Sequence, residues 1–294
     1  MAMAWCAALA RLHDAKLMPG VLIGLGLSVW CFYVLDRFLD PCSGRGQLIE
    51  ARQDFLLRWQ VALIPLIIVG LGILAWLALW IVPQGLMWEC LGLAILMLLY
   101  LAVIHSGGSQ WFHQLLLPLT SLPALFMTHY WPLSPAFQVL AMALMLILLV
   151  MNFFSHLRQQ MSSVMVKDVM GGMLFALGCN AWTRFSQASG EGLASTLELW
   201  LLGCLFIGNL TGLSSREVQG RWLALGLGSV AGVMALCMTQ SLPASLWVVA
   251  EASGIGLLLM LLLMGKRRSS SAEAYRVWID LAVLAPALHL WIRA

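Results

Sequence analysis

Apolar residues run through this chain in blocks about 20 residues long, separated by shorter stretches that hold most of its charge. The blocks lack the period-2 alternation of barrel strands, and backbone groups in lipid must be satisfied inside a helix or a closed barrel. The pattern therefore predicts ten membrane-crossing helices, over 17–35, 59–82, 87–104, 115–131, 137–154, 169–183, 193–212, 223–240, 247–264 and 277–292. The fold class is all-α, a polytopic transmembrane helical bundle. A single integral membrane domain covers 1–294, with a segment at 1–16 too short to cross. Residues 1–16 carry Arg11, His13, Asp14 and Lys16 and do not read as a cleavable signal peptide.

Composition agrees with the pattern. Hydrophobic residues make up 62% of the 294 and charged residues 10%, and the mean hydropathy is +0.91. Assigning alternate loops to one side separates the cations. The loops 36–58, 155–168, 213–222 and 265–276, with their borders, take Arg37, Arg45, Arg52, Arg58, Arg158, Lys167, Arg216, Arg221, Lys266, Arg267, Arg268 and Arg276. The other side keeps only Arg11, Lys16, Arg184 and Arg293. By the positive-inside rule the first group is cytoplasmic, and the expected location is a bacterial inner membrane. The net charge of +3 comes from these flanks and forms no contiguous basic patch, so nucleic acid is not an expected partner; membrane lipids are.

The polar residues near the cytoplasmic ends carry the candidate chemistry. Asp36 and Asp40 stand one helical turn apart directly after an apolar block, so a continuing helix would place both carboxylates on one face. Such a pair suits a hard divalent cation, and magnesium with substrate phosphates fits the donor set. Asp280 lies about one turn inside the last span on the cytoplasmic half. Glu198 and Glu251 fall toward the outer half, where pairing with a neighbouring helix is the expected role. The seven cysteines form no Cys-x-x-Cys pair and read as small buried hydrophobes. The six histidines raise a rival haem reading through His105 and His156, which no His-x-x-x-His or Cys-x-x-Cys-His motif supports. A transporter reading would need a discontinuous-helix pair or an inverted repeat, and neither is visible.

The run Trp30-Cys31-Phe32-Tyr33-Val34-Leu35-Asp36-Arg37-Phe38-Leu39-Asp40 resembles the first aspartate motif of the UbiA superfamily of intramembrane prenyltransferases, whose common form is Asn-x-x-x-Asp-x-x-x-Asp. Phe32 stands at the Asn position. The Tyr-x-x-Asp-Arg-x-x-Asp form is closer to uncharacterised UbiA-like membrane proteins. Lys167-Asp168, leading into the glycine-rich run Gly171-Gly172 to Gly178, is similar to the family's cytoplasmic Lys or Arg ahead of a small-residue helix. After Asn209 the family places a second pair of acids. Here Ser215 and Gln219 hold that spacing, and Glu217 is the carboxylate left. With the ending Tyr275 to Pro286, the resemblance covers 17–58 and roughly 155–292. The count of nine to ten spans departs from the family's nine helices, since about four spans instead of two separate Asp40 from Lys167.

The resemblance implies that Asp36 and Asp40 hold Mg2+ and that Lys167 joins them in catalysis. Arg37, Asn209, Arg216, Glu217 and Asp280 would contact an isoprenoid diphosphate, whose prenyl group passes to a lipophilic acceptor. The alternative is a non-catalytic UbiA-like protein, a lipid-binding or structural subunit of a membrane complex. Topology offers the first test. Single cysteines replacing Asp36, Lys167, Glu217 and Arg268 are expected to react from the cytoplasmic face of oriented vesicles, and Lys167 and Arg268 on opposite faces would overturn the assignment.

Overall fold

The computed structural model describes residues 1–39, 58–105, 163–186, 192–213, 216–239, 242–267 and 269–294. Among them are nine α-helices, one 3-10 turn and no strand. The helices are α1 (Ala2–Leu12), α2 (Pro19–Leu39), α3 (Gln60–Trp80), α4 (Gln84–His105), α5 (Ser163–Ser186), α6 (Gly192–Leu210), α7 (Arg216–Thr239), α8 (Ala244–Lys266) and α9 (Ala272–Arg293). Six of them, α2, α3 and α6 to α9, are long and apolar enough to cross a membrane. The expected spans at 87–104 and 169–183 are helical within α4 and α5. The span 169–183 lies in a helix that also carries Lys167, Asp168, Asn180, Thr183 and Arg184. Those expected at 115–131 and 137–154 lie outside the described residues.

The chain divides into two compact units, residues 1–17 with 161–294, and residues 18–160. In the first, α6 is the central helix, packed on α5, α7 and α8. Every residue from Leu201 to Gly208 is buried, as expected of a helix apolar on all sides. Close approach on one flank depends on Gly172 of α5, where a Cβ would stand 2.7 Å from the backbone nitrogen of Ile207. At the start of α9, the Ser271 hydroxyl caps the helix by accepting from the Ala274 amide at 3.2 Å.

Helix α1 has 11 residues, about 16 Å, half of a bilayer crossing. It packs against α5 and α9. Trp5 is fully buried, sits edge-on to Phe206 of α6 and donates its indole N–H to the Val283 carbonyl at 3.0 Å. Further along, the Arg11 guanidinium lies 4.4 Å over the Trp291 ring. Trp5 meets Val283 and Arg11 meets Trp291, so α1 runs parallel to α9. The Val283 contact falls beside a break in α9: Pro286 has no N–H, which leaves the Ala282 carbonyl without its helical donor. Gly256 of α8 closes over this point. A Cβ there would stand 2.6 Å from Leu205 Cδ1, 2.9 Å from Pro286 Cγ and 3.3 Å from the Ala282 oxygen.

In the second unit α2 packs on α3 and α4. Gly70 of α3 lets the α2 side chains of Cys31 and Leu27 come close; a Cβ would lie 3.0 Å and 3.3 Å from them. Much of α3 is exposed, including Val61, Leu79 and Trp80, an apolar surface suited to lipid.

The two kinds of glycine separate in stability. Gly172→Ala pushes a methyl group into backbone that cannot turn aside and should cost about 1–3 kcal/mol. Gly228→Ala, with no described atom within 4 Å of its Cβ, should be neutral or stabilising by up to about 1 kcal/mol. Thermal unfolding in micelles measures both.

Candidate functional site

Three contacts gather the ends of four helices in the first unit. Gly172 of α5 lies against Ile207 of α6. Gly212, in the 3-10 turn Thr211–Leu213 that follows α6, lies against Ile279 of α9 at 3.1 Å from its would-be Cβ. Gln219 of α7 is hydrogen-bonded to Tyr275 of α9. One end of the unit therefore carries Lys167 and Asp168 from α5, Asn209 from the last turn of α6 and Thr211 after it, Arg216, Glu217 and Gln219 from α7, and Tyr275, Arg276 and Asp280 from α9. Asp36 and Arg37 belong to the last turns of α2 in the other unit, where Asp36 is half-buried. Asp40 lies outside the described residues, and so does the expected convergence of the two carboxylates.

The environments of these groups differ sharply. Gln219 is fully buried and Tyr275 is 2% exposed. The Tyr275 hydroxyl accepts from Gln219 Nε2 at 3.0 Å and donates to its Oε1 at 3.1 Å. The Arg267 guanidinium stands 5.8 Å over the Tyr275 ring. Glu217, two residues from Gln219 and so on the opposite face of α7, is 74% exposed and paired with Arg221 one turn on. Thr211 donates back to the Ile207 carbonyl at 2.9 Å and tightens the end of α6. Asn209 and Asp280 are half-buried, Asn209 with a buried Oδ1 that has no hydrogen-bond partner among the described residues. Asp168 stands just ahead of the apolar part of α5. Burial pushes its carboxyl up to about 7, with the adjacent Lys167 pulling the other way.

A magnesium ion of the kind the resemblance implies would rest on Asp36 and Asp40 in the first motif, and Asp36 supplies a hard carboxylate oxygen at a helix end. The second motif does not fit such an ion. Ser215 lies outside the described residues, Gln219 is held by Tyr275, and Glu217 is turned to Arg221. Among the described residues no three His, Cys, Asp or Glu side chains come together.

At the opposite end of the unit Glu198 and Glu251 have found partners on other elements, as an ionisable group inside a lipid-embedded bundle requires. His13, just past α1, sits 2.9 Å from Glu198 Oε2. Glu251 of α8 has Arg293 of α9 at 3.3 Å and His289 at 3.4 Å. Reading the sequence missed Asp168, Tyr275 and the partnership of His13. Asp168 could have been found by its place beside Lys167; the other two depend on residues far apart in the chain.

The fold defines an integral membrane protein built of α-helices. No family model matches the chain, and comparison with curated proteins and with solved structures found no match.

The buried amide and phenol should carry stability that the exposed ion pair does not. Tyr275→Phe strands the Gln219 amide and should cost about 1–3 kcal/mol, whereas Glu217→Gln should stay within about 0.5 kcal/mol. Unfolding midpoints of the two variants in one detergent check the contrast.

Proposed function

We propose that this chain is a UbiA-like intramembrane prenyltransferase, moving an isoprenoid group from a prenyl diphosphate to a lipophilic acceptor. The observation that carries the reading is the Asp36-Arg37-x-x-Asp40 sequence at the end of an apolar helix, with Asp36 half-buried in its last turns. Asp36 and Asp40 are the residues that would hold magnesium, which when bound supplies positive charge to a departing diphosphate. The same reading gives Arg37 and Lys167 the task of meeting diphosphate oxygens, Arg37 as a planar fork and Lys167 as a point charge. Asn209, Arg216 and Asp280 would contribute further polar contacts, and the apolar interior would shelter the prenyl chain from water.

A second reading is a non-catalytic UbiA-like lipid-binding or structural subunit, and the pairing of Gln219 with Tyr275 favours it. A side chain committed to its own fold in place of an acid leaves the second half of the metal clamp without a donor.

Diphosphate release by purified protein supplied with prenyl diphosphates of several lengths, an apolar acceptor and magnesium distinguishes the two. The transferase reading expects release that falls by at least about 100-fold in the Asp36→Asn, Asp40→Asn double variant, which removes charge and nearly keeps shape. Release that is unchanged in the double variant would sink it. Wild-type protein that retains lipid and releases no diphosphate selects the subunit reading.

A further inference from the structure

We propose that His13 and Glu198 form a proton-binding site that latches α1 into the bundle. The two side chains come from elements far apart in sequence, are 7% and 6% exposed, and meet at 2.9 Å. Glu198 Oε1 is buried without a hydrogen-bond partner among the described residues. The carboxylate thus faces low dielectric on one oxygen and an imidazole on the other. A buried carboxylate beside a protonated imidazole is a neutral, hydrogen-bonded pair. Beside a neutral imidazole the same carboxylate loses that neutralising partner.

Helix α1 is the element this proton controls. It does not cross the membrane, and its hold on the unit consists of packing against α5 and α9 and polar contacts at its two ends. One end is fixed by groups that do not titrate near neutrality, the Trp5 indole on the Val283 carbonyl. The other end is held by His13 on Glu198 and by Arg11 over Trp291, and of these two contacts the imidazole is the one that can lose its charge near neutral pH. Trp5 of α1 and His13, its C-cap, are eight residues apart, and their partners Phe206 and Glu198 are eight residues apart on α6 in the reverse order. α1 therefore lies antiparallel along α6, with the imidazole as its second anchor.

The other charged or titratable groups at this end of the surrounding elements are Arg184 of α5, His289 and Arg293 of α9, and Glu251 of α8. His289 and Arg293 are engaged with Glu251. Arg11, on α1 itself, is stacked on Trp291, and Asp14 and Lys16 follow in the exposed segment behind it. Glu198 is the only charged residue of α6. An imidazole gains and loses its proton near neutral pH, so the latch is closed in acid and weakens as pH rises through that range. Release of α1 would uncover the groove between α5 and α9, including Cys179, whose thiol lies 3.7 Å from the Ala2 carbonyl.

The test is hydrogen exchange on the full chain in micelles, corrected for the intrinsic pH dependence of exchange. Protection of residues 5–12 should fall by at least about tenfold from about pH 6 to about pH 9, while residues 201–208 of α6 keep theirs. Glu198→Gln, which pairs with a neutral imidazole without leaving a charge, should remove the pH dependence of α1. His13→Gln should do the same and serves if Glu198→Gln does not fold. Constant protection of α1 in wild type, an equal pH dependence in either variant, or a parallel loss in α6 would overturn the latch.

Discussion

The break that Pro286 makes in α9 organises the first unit. A carbonyl without a donor is costly in hydrocarbon, so the elements around residue 286 must come close enough to exclude lipid from it and to supply what polar contact they can. Three do so. Gly256 brings the α8 backbone against the proline ring and the Ala282 oxygen, Leu205 of α6 fills the adjoining space, and Trp5 of α1 donates to the next carbonyl. A side chain at position 256 would separate all of these at once. That single level also sets register: Glu198, Glu251 and His289 lie one to two turns from it toward one end, and Asn209, Gly212 and Ile279 lie about one to two turns toward the other.

The two polar ends so created are chemically unlike. At the end carrying Gln219 and Tyr275 the buried polar pair is an amide and a phenol. At the other end the buried or half-buried polar contacts join carboxylates to imidazoles and guanidinium. The first arrangement is suited to holding helices α7 and α9 at a fixed spacing, because the amide and the phenol satisfy one another in both directions. An uncharged buried pair at one end and ionic contacts at the other follow from which residues meet, since both ends belong to the same helices.

Much of the architecture was legible because lipid imposes length. The expected spans 193–212, 223–240, 247–264 and 277–292 overlie α6 to α9, and the segment 1–16, too short to cross, forms the 11-residue α1. The need of Glu198 and Glu251 for partners was legible for the same reason, the cost of a charge in a low-dielectric bundle. The identity of those partners was not. His13 lies 185 residues from Glu198, and no local pattern encodes a pairing over that separation. The docking of α1 was equally hidden, because a segment with no span signal gives no hint of which groove receives it. At the candidate site the sequence marked Gln219 as a departure from an acidic motif. Its role appears only with Tyr275 beside it, which turns an absence of charge into a structural commitment.

That commitment bears on how an anionic headgroup could be held. With Gln219 facing Tyr275 and Glu217 paired with Arg221, Arg216 is the further cation at the start of α7, and Lys167 stands at the same end of the unit. Guanidinium groups recognise phosphate oxygens directly and with geometric definition. On the proposed reading, arginine and lysine would therefore take the place that a second metal ion holds where two acidic motifs are present. Because negative charge grows on a departing diphosphate, such cations would stabilise the departure as well as the bound state. On that reading the cations of this unit would hold the diphosphate in place of a metal that Gln219, committed to Tyr275, does not ligate.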